Sequence, residues 1–261
     1  MKKTTIIHLL LIAALFSVTA PVKSQSQVLL HSHNDYTRTM PFYEAYSQHC
    51  SSIECDMYYT DGKFLVGHDP EDLRPDITFE RLYLTPLLNI YSLNGGRPYA
   101  GSEALIQLVV EIKSKNTAEY MTALVKILEE HPDIFNPSIN PYACRIMVTG
   151  RVPQPEDFTK YPSYVTFDGD LKTDYTPGQL EQIAMYSFCF STYSKWNGTG
   201  TLDPAEKQTV DSLIARSHAK GKPVRFWGAP DNTAAWETFA SMGIDYINTD
   251  QPAKCAIHFG K

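Results

Sequence analysis

The sequence predicts an α/β fold: a single (β/α)8 barrel of the TIM type with a hairpin excursion after its second strand. Three observations lead there. Eight short β-branched or apolar runs recur along the chain with helical stretches between them, a rhythm that a closed parallel barrel satisfies. Histidines and carboxylates stand at the C-terminal ends of those runs, where the βα loops of a barrel converge. No repeat, low-complexity tract or Pro/Gly-rich linker divides residues 25–261, a span that suits one large α/β domain. A doubly wound open sheet shows the same alternation, and the count of eight favours the barrel.

In chain order, the predicted strands cover residues 27–33, 52–57, 108–113, 144–149, 164–167, 187–192, 223–227 and 245–248. After the second, Thr60-Asp61-Gly62-Lys63 is a turn signal, because Asp-Gly accepts the left-handed backbone of a tight hairpin. The run 64–67 then returns as an extra strand that delivers His68. Predicted helices occupy 117–130, 177–185, 204–220 and 233–242. Their starts are punctuated by Asn116-Thr117 with Glu119 close behind, and by proline at the first position in Thr176-Pro177 and Asp203-Pro204, where its missing N–H costs little. Gly221 and Gly243 fall where two of these helices should stop.

Residues 1–24 read as an export signal. Lys2 and Lys3 precede an apolar run from Ile6 to about Val18, and Val22-Lys23-Ser24 offers small residues for cleavage. The run is shorter than the roughly 20 apolar residues of a spanning helix. No transmembrane segment is therefore expected, and the domain at 25–261 is expected to be exported, periplasmic or secreted. The chain holds 29 acidic against 23 basic residues, a formal net charge of −6, and losing a leader that contains Lys2, Lys3 and Lys23 makes the remainder more negative still. That balance argues against a nucleic-acid partner. Cys50, Cys55, Cys144, Cys189 and Cys255 form no paired framework. Buried thiols are expected, with Cys50–Cys55 as the one bridge that export would permit.

The chemistry gathers at the strand ends. His31 and His33 end the first strand, Glu54 and Asp56 the second, Glu111 and Lys113 the third; Trp227 ends the seventh and Asp250 follows the eighth. Residues spaced by two share a face of their strand, so Glu54 and Asp56 project together into the barrel mouth. Two carboxylates cannot both stay ionised in a poorly solvated site without a counter-charge. A divalent cation would supply it, with Glu111 as a third ligand and the amide oxygen of Asn34 as a fourth. An all-oxygen set favours Ca²⁺ or Mg²⁺ over Zn²⁺. The alternative is that these acids pair with Lys113, Lys115 or Arg225. His33 and His68 are the candidates for proton transfer, since both imidazole forms are accessible near neutral pH.

Ser32-His33-Asn34-Asp35-Tyr36, then Glu54-x-Asp56, Gly67-His68-Asp69 and Glu111-x-Lys113, in this order, resemble the superfamily of phosphatidylinositol-specific phospholipases C and glycerophosphodiester phosphodiesterases. The segment from Gly243 to Pro252 is similar to the closing strand of the latter. The resemblance implies a phosphoric diester hydrolase with His33 and His68 as general acid and base, and with Glu54, Asp56, Glu111 and Asn34 as metal ligands. It implies Lys113 on a phosphate oxygen and Trp227 stacked on the substrate alcohol. The substrate would be a small phosphodiester or a lipid headgroup, the latter bringing peripheral contact with a membrane.

The chain departs from the pattern where glycerophosphodiesterases carry His-Arg-Gly, having His33-Asn34-Asp35 instead. The phosphate-holding arginine is missing there, so either Lys113, Arg225 or the metal takes its role or the substrate differs. His31 competes with His33 as first-strand catalyst, the Ser-His-Asn match favouring His33, and Asp250 joins His31 and Arg225 among the expected substrate contacts. Two rival readings stand beside this one. His31-x-His33 with Asp250 fits a zinc amidohydrolase, although no histidine ends the fifth or sixth predicted strand. A non-catalytic barrel binding lipid headgroups or glycans through Tyr58, Tyr59, Tyr193 and Trp196 is the other.

Overall fold

A computed structural model of the chain describes residues 28–261; the predicted leader, 1–24, lies outside the described residues. β1 (Leu29–Ser32) leads through α1 (Tyr43–Ser47) to β2 (Ser52–Thr60), which turns back as β3 (Lys63–Val66). α2 (Thr85–Leu93) precedes β4 (Gln107–Ile112), and α3 (Thr117–Glu130) and α4 (Pro132–Phe135) precede β5 (Arg145–Gly150). β6 (Val165–Gly169), α5 (Pro177–Glu181), β7 (Ile183–Cys189), α6 (Pro204–Ala219), β8 (Val224–Trp227), α7 (Thr233–Met242), β9 (Tyr246–Thr249) and α8 (Pro252–His258) complete the chain. Between β5 and β6 a 3₁₀ segment, Pro155–Lys160, stands where an α-helix would be.

The strands follow the order β1-β9-β8-β7-β6-β5-β4-β2, and a parallel β1–β2 pairing closes the ring. All eight barrel strands are parallel, and β3 is an antiparallel addition to β2. The expected barrel and its excursion are both present. In the hairpin turn Asp61 and Gly62 have φ of 48° and 76°, the double positive φ that this type of turn demands. Outward side chains such as Leu30, Ile53, Leu108, Val148, Phe167 and Phe226 pack with the helices into one apolar layer. Inside, Val109, Met147, Met185 and Tyr246 form a separate plug, so the barrel is filled below its mouth.

The helix caps follow the sequence signals. Asn116 Oδ1 accepts from Glu119 N, Asp203 Oδ1 from Ala205 N and Glu206 N, and Gly243 ends α7 at φ 83°. One strand lies elsewhere than expected. The sixth barrel strand spans Ile183–Cys189, not 187–192, and the helix read over 177–185 stops at Glu181. Ile183 pairs with Phe167 of β6, and a side chain at Gly169 would collide with the Tyr186 ring at 2.6 Å; this long-range fit pulls 183–186 into the sheet. Residues Phe190–Thr192 form a 3₁₀ turn.

All five cysteines are free thiols, and the Cys50–Cys55 bridge is not formed. The extended strand from Ser52 carries Cys55 away from Cys50 at about 3.3 Å per residue, beyond disulfide reach. Among the described residues no helix is long and apolar enough to cross a membrane.

Candidate active site

Parallel register sets Asp56 opposite Glu111, and Glu111 opposite Thr149 of β5. Strand alternation turns Glu54, Asp56 and Glu111 inward, while Cys55, Val110 and Ile112 join the outer apolar layer. One carboxylate oxygen of each acid lies within 4.8 Å of the other two. Glu54 and Asp56 are buried and Glu111 is partly so. Gly150 makes room for this, since its φ is +76° and a Cβ there would press on Glu111 Cγ at 2.7 Å.

Counter-charges are present but do not saturate the acids. Lys113 Nζ donates to Glu111 Oε1 at 2.7 Å and to Asp56 Oδ2 at 3.0 Å, and the Arg225 guanidinium pairs with Glu54 Oε2. The pairing with Lys113 and Arg225 that the sequence allowed is thus realised in part. Three carboxylates against two cations leave one negative charge over, and its place is visible. Asp56 Oδ2 accepts from Lys113 and lies 2.9 Å from the Tyr36 hydroxyl and 2.8 Å from His68 Nδ1, whereas the equally buried Oδ1 has no partner. An unpartnered buried carboxylate oxygen costs at least ~1–3 kcal/mol, a cost that a bound ion or an ordered water would relieve. With only oxygen donors converging, these residues suit a hard divalent cation.

Burial tends to raise the Glu54 pKa, but Arg225 and the hydrogen bond from His31 overcome it and hold the carboxyl well below its usual range. Glu111 moves the other way, raised by burial and by the Asp56 charge. Burial opposes the charge of Lys113 as well, yet its hydrogen bond to Glu111 prevails and raises its pKa.

The two histidines flank the acids in unlike settings. His33 Nδ1 is 3.0 Å from Asp250 Oδ1 and its Nε2 faces Glu54 Oε1 at 3.6 Å. Burial pulls His33 down, but the Asp250 hydrogen bond and the charges of Glu54 and Asp250 lift it above the usual histidine value. His68 comes from the residue pair after β3 and is 56 % exposed, with Nδ1 on Asp56. The Tyr36 hydroxyl links Asp56 to Asn34 Oδ1 at 3.0 Å, which brings the amide oxygen to the cluster's edge. Asn34 also holds a left-handed backbone, φ 47°, a conformation that asparagine tolerates.

Two expected substrate contacts lie below the mouth. His31 is fully buried, with Nδ1 on Ser52 Oγ at 2.9 Å and Nε2 on Glu54 at 3.0 Å. Burial and then Arg225 push its pKa down to about 3, so it is a neutral support beneath Glu54. With both ring nitrogens engaged, His31 leaves no His-x-His pair for zinc. Arg225 is 3 % exposed and spent on Glu54; a residue two places before a strand end shares the face of the last residue but sits a layer deeper. Asp250, 56 % exposed, stays beside His33 with Oδ1 on Nδ1. Trp227, 43 % exposed at the end of β8, does face the mouth.

Sequence reasoning placed Tyr36 in the motif without a role of its own and missed Arg38 and Asp168. Arg38 Nη2 donates to the His33 carbonyl at 2.9 Å and lies 3.6 Å from Asp250. Asp168, the penultimate residue of β6, accepts from Thr149 Oγ1 and Ser187 N, both at 3.0 Å. The strand-end rule that found Glu54 would have found it in Val165-Thr-Phe-Asp-Gly169. A cavity of about 300 Å³ opens there, bordered by Gly150, Asp168, Asp170 and Tyr175, next to Glu111.

Comparison with known proteins agrees with the fold. Residues 21–140 match the AIM6-like phosphodiesterase domain, and 223–253 match the glycerophosphoryl diester phosphodiesterase family. Altered inheritance of mitochondria protein 6 homolog from Arthroderma benhamiae is 26 % identical over 254 residues, covering 85 % of this chain and 80 % of the relative. The Saccharomyces cerevisiae protein of that name is 25 % identical over 272 residues, covering 87 % and 70 %. In three dimensions the chain is similar to glycerophosphodiester phosphodiesterases from Parabacteroides distasonis (TM-score 0.54, 14 % identity, 90 % of this chain and 96 % of that one) and Agrobacterium tumefaciens (0.51, 16 %, 88 % and 99 %).

Proposed function

We propose that this chain, which belongs to the superfamily of glycerophosphodiester phosphodiesterases and phospholipase-C-like enzymes, is a divalent-metal-dependent phosphoric diester hydrolase acting on a glycerophosphodiester- or phosphoinositide-like substrate. The observation that carries this reading is the unpartnered, buried Asp56 Oδ1 in a cluster of three converging carboxylates flanked by two histidines. A Ca²⁺ or Mg²⁺ ion held by Glu54, Asp56 and Glu111, with Asn34 as a further ligand, would neutralise phosphate charge and acidify a nearby hydroxyl.

The side chains do the rest. Asp250 holds His33 by Nδ1 and turns Nε2 inward; Asp56 holds His68 in the same way, leaving Nε2 for the substrate. One imidazole removes the proton of the attacking hydroxyl and the other returns one to the leaving alkoxide, each transfer worth about 10²–10⁴ in rate. Lys113, beside His68 at 3.4 Å, meets a phosphate oxygen, and the indole of Trp227 covers the alcohol. The leader-like segment would put this activity outside the cytoplasm, where lipid headgroups are met at a membrane surface.

Turnover of a chromogenic phosphodiester and a glycerophosphodiester, measured across Ca²⁺ and Mg²⁺ titrations for the wild type, His68→Asn and Glu111→Gln, tests the proposal. His68→Asn should lose at least about 10² in rate with metal binding intact, and Glu111→Gln should weaken metal binding. Undiminished turnover in His68→Asn, or in the presence of a chelator, would overturn it.

A further inference from the structure

The end of the barrel opposite the carboxylates holds two adjoining cavities of about 450 and 560 Å³. Both are bordered by Leu105, Gln107, Arg145 and Tyr246, residues at or just before the starts of β4, β5 and β9. Neither lining contains an aspartate or glutamate. The first adds Lys222 to Arg145, and the second adds Lys261 and His49. In a chain with an excess of acid, this is a local reversal of sign.

Among the described residues, Arg145, Lys222 and Lys261 form no ion pair. Nearby Asp245 is engaged by His218 Nε2 and Val224 N, both at 2.8 Å. Glu181 draws on Lys222 from outside the lining. Burial lowers the pKa of both Lys222 and Lys261, because each ammonium loses water without an ion pair to offset it, the charge of Glu181 only partly compensating Lys222. A bound anion would offset the two part-buried ammonium groups, and the guanidinium fork of Arg145, exposed at the rim, suits the paired oxygens of a phosphate. Ser163 adds a hydroxyl donor, while Pro137 and Pro141 form an apolar wall.

We propose that this recess is a second binding site, for a small phosphorylated organic anion whose phosphate is held by Arg145 and Lys222 and whose organic part lies on Pro137 and Pro141. It stands apart from the carboxylate cluster, with the Val109, Met147, Met185 and Tyr246 plug between the two ends, so it does not depend on the catalytic reading.

Calorimetric titration of the purified chain with pyrophosphate, in chelator and low salt, tests it. Arg145→Ala and Lys222→Ala should each weaken binding by about tenfold or more, since each removes one of the charges that draw the anion in. Their melting temperatures and phosphodiester turnover should match the wild type, and pyrophosphate affinity should be unchanged in His68→Asn. The proposal is overturned if the wild type binds no pyrophosphate, if both alanine variants bind it as the wild type does, or if His68→Asn abolishes binding.

Discussion

Replacing Glu54 by alanine should destabilise the protein far more than replacing its neighbour in the cluster, Glu111. Glu54 is 2 % exposed and pairs with Arg225, itself 3 % exposed. In Glu54→Ala the guanidinium keeps three uncharged partners, His31 Nε2, Ser187 Oγ at 3.3 Å and Asn248 Oδ1 at 3.4 Å, His31 being neutral above a pKa of about 3, and the charge of Asp168 acts on it without an ion pair. Breaking a buried ion pair from one side costs about 3–5 kcal/mol, and for a chain of this size each kcal/mol lowers Tm by roughly 2–4 °C. Calorimetry at pH 7 should therefore show a drop of about 6–20 °C. Removing both charges, in Glu54→Met with Arg225→Met, should recover most of the loss. The folded-state pKa of Glu54 lies below the ordinary carboxylate value, so its contribution is complete above the unfolded pKa of about 4.3. The gap between wild type and variant should narrow only as pH falls below that. A Glu54→Ala melting point within about 2 °C of the wild type would refute the reasoning. The practical consequence is that lost activity in Glu54→Ala would report unfolding and metal loss together, which makes the more exposed Glu111 the cleaner probe.

Asp250→Asn should lower turnover by about 10–10² while leaving Tm nearly unchanged, since it weakens a charge-assisted hydrogen bond to His33 at a residue 56 % exposed; steady-state kinetics and a melting curve check both halves. Asp35→Ala should cost about 3 kcal/mol or more by urea denaturation, because Ser32 Oγ, Phe42 N and Tyr83 Oη all donate to that buried carboxylate, and Phe42 holds a positive φ of 66° in the loop that it pins. Thiol titration of the native protein near pH 8 should modify Cys189 first. Burial pushes the Cys50 and Cys144 thiols up to about 12, while hydrogen bonds from Ser191 and Thr192 outweigh the burial of Cys189 and lower its pKa. Rapid reaction of several thiols in folded protein would contradict this burial pattern.

The candidate chemistry was legible in the sequence to the extent that it followed strand alternation. Glu54-x-Asp56, Glu111-x-Lys113 and the Asp61-Gly62 turn that delivers His68 are local patterns, and a period of two determines the face on which their side chains stand. The barrel itself was equally local in origin, a count of strands and of the helix starts at Asn116, Pro177 and Pro204. The same rule says nothing of depth. His31 and His33 share a face, as do Arg225 and Trp227, yet the first of each pair is buried a layer below the mouth and only tertiary closure reveals it.

Partners distant in the chain were likewise decided by the fold. His33 meets Asp250 across 217 positions, and Arg225 reaches Glu54 across 171, pairings that exist because β1 lies between β9 and β2 in the closed ring. The start of β7 belongs with these, since Gly169 and Phe167 of another strand, not the helical rhythm of 177–185, place Ile183 in the sheet. By itself the sequence determined which residue types stand at the strand ends and on which face, because those follow from the local geometry of one strand. Only the tertiary structure decided which acid keeps a free oxygen and which cation is already spent, because charge compensation depends on distances between strands that the chain brings together last.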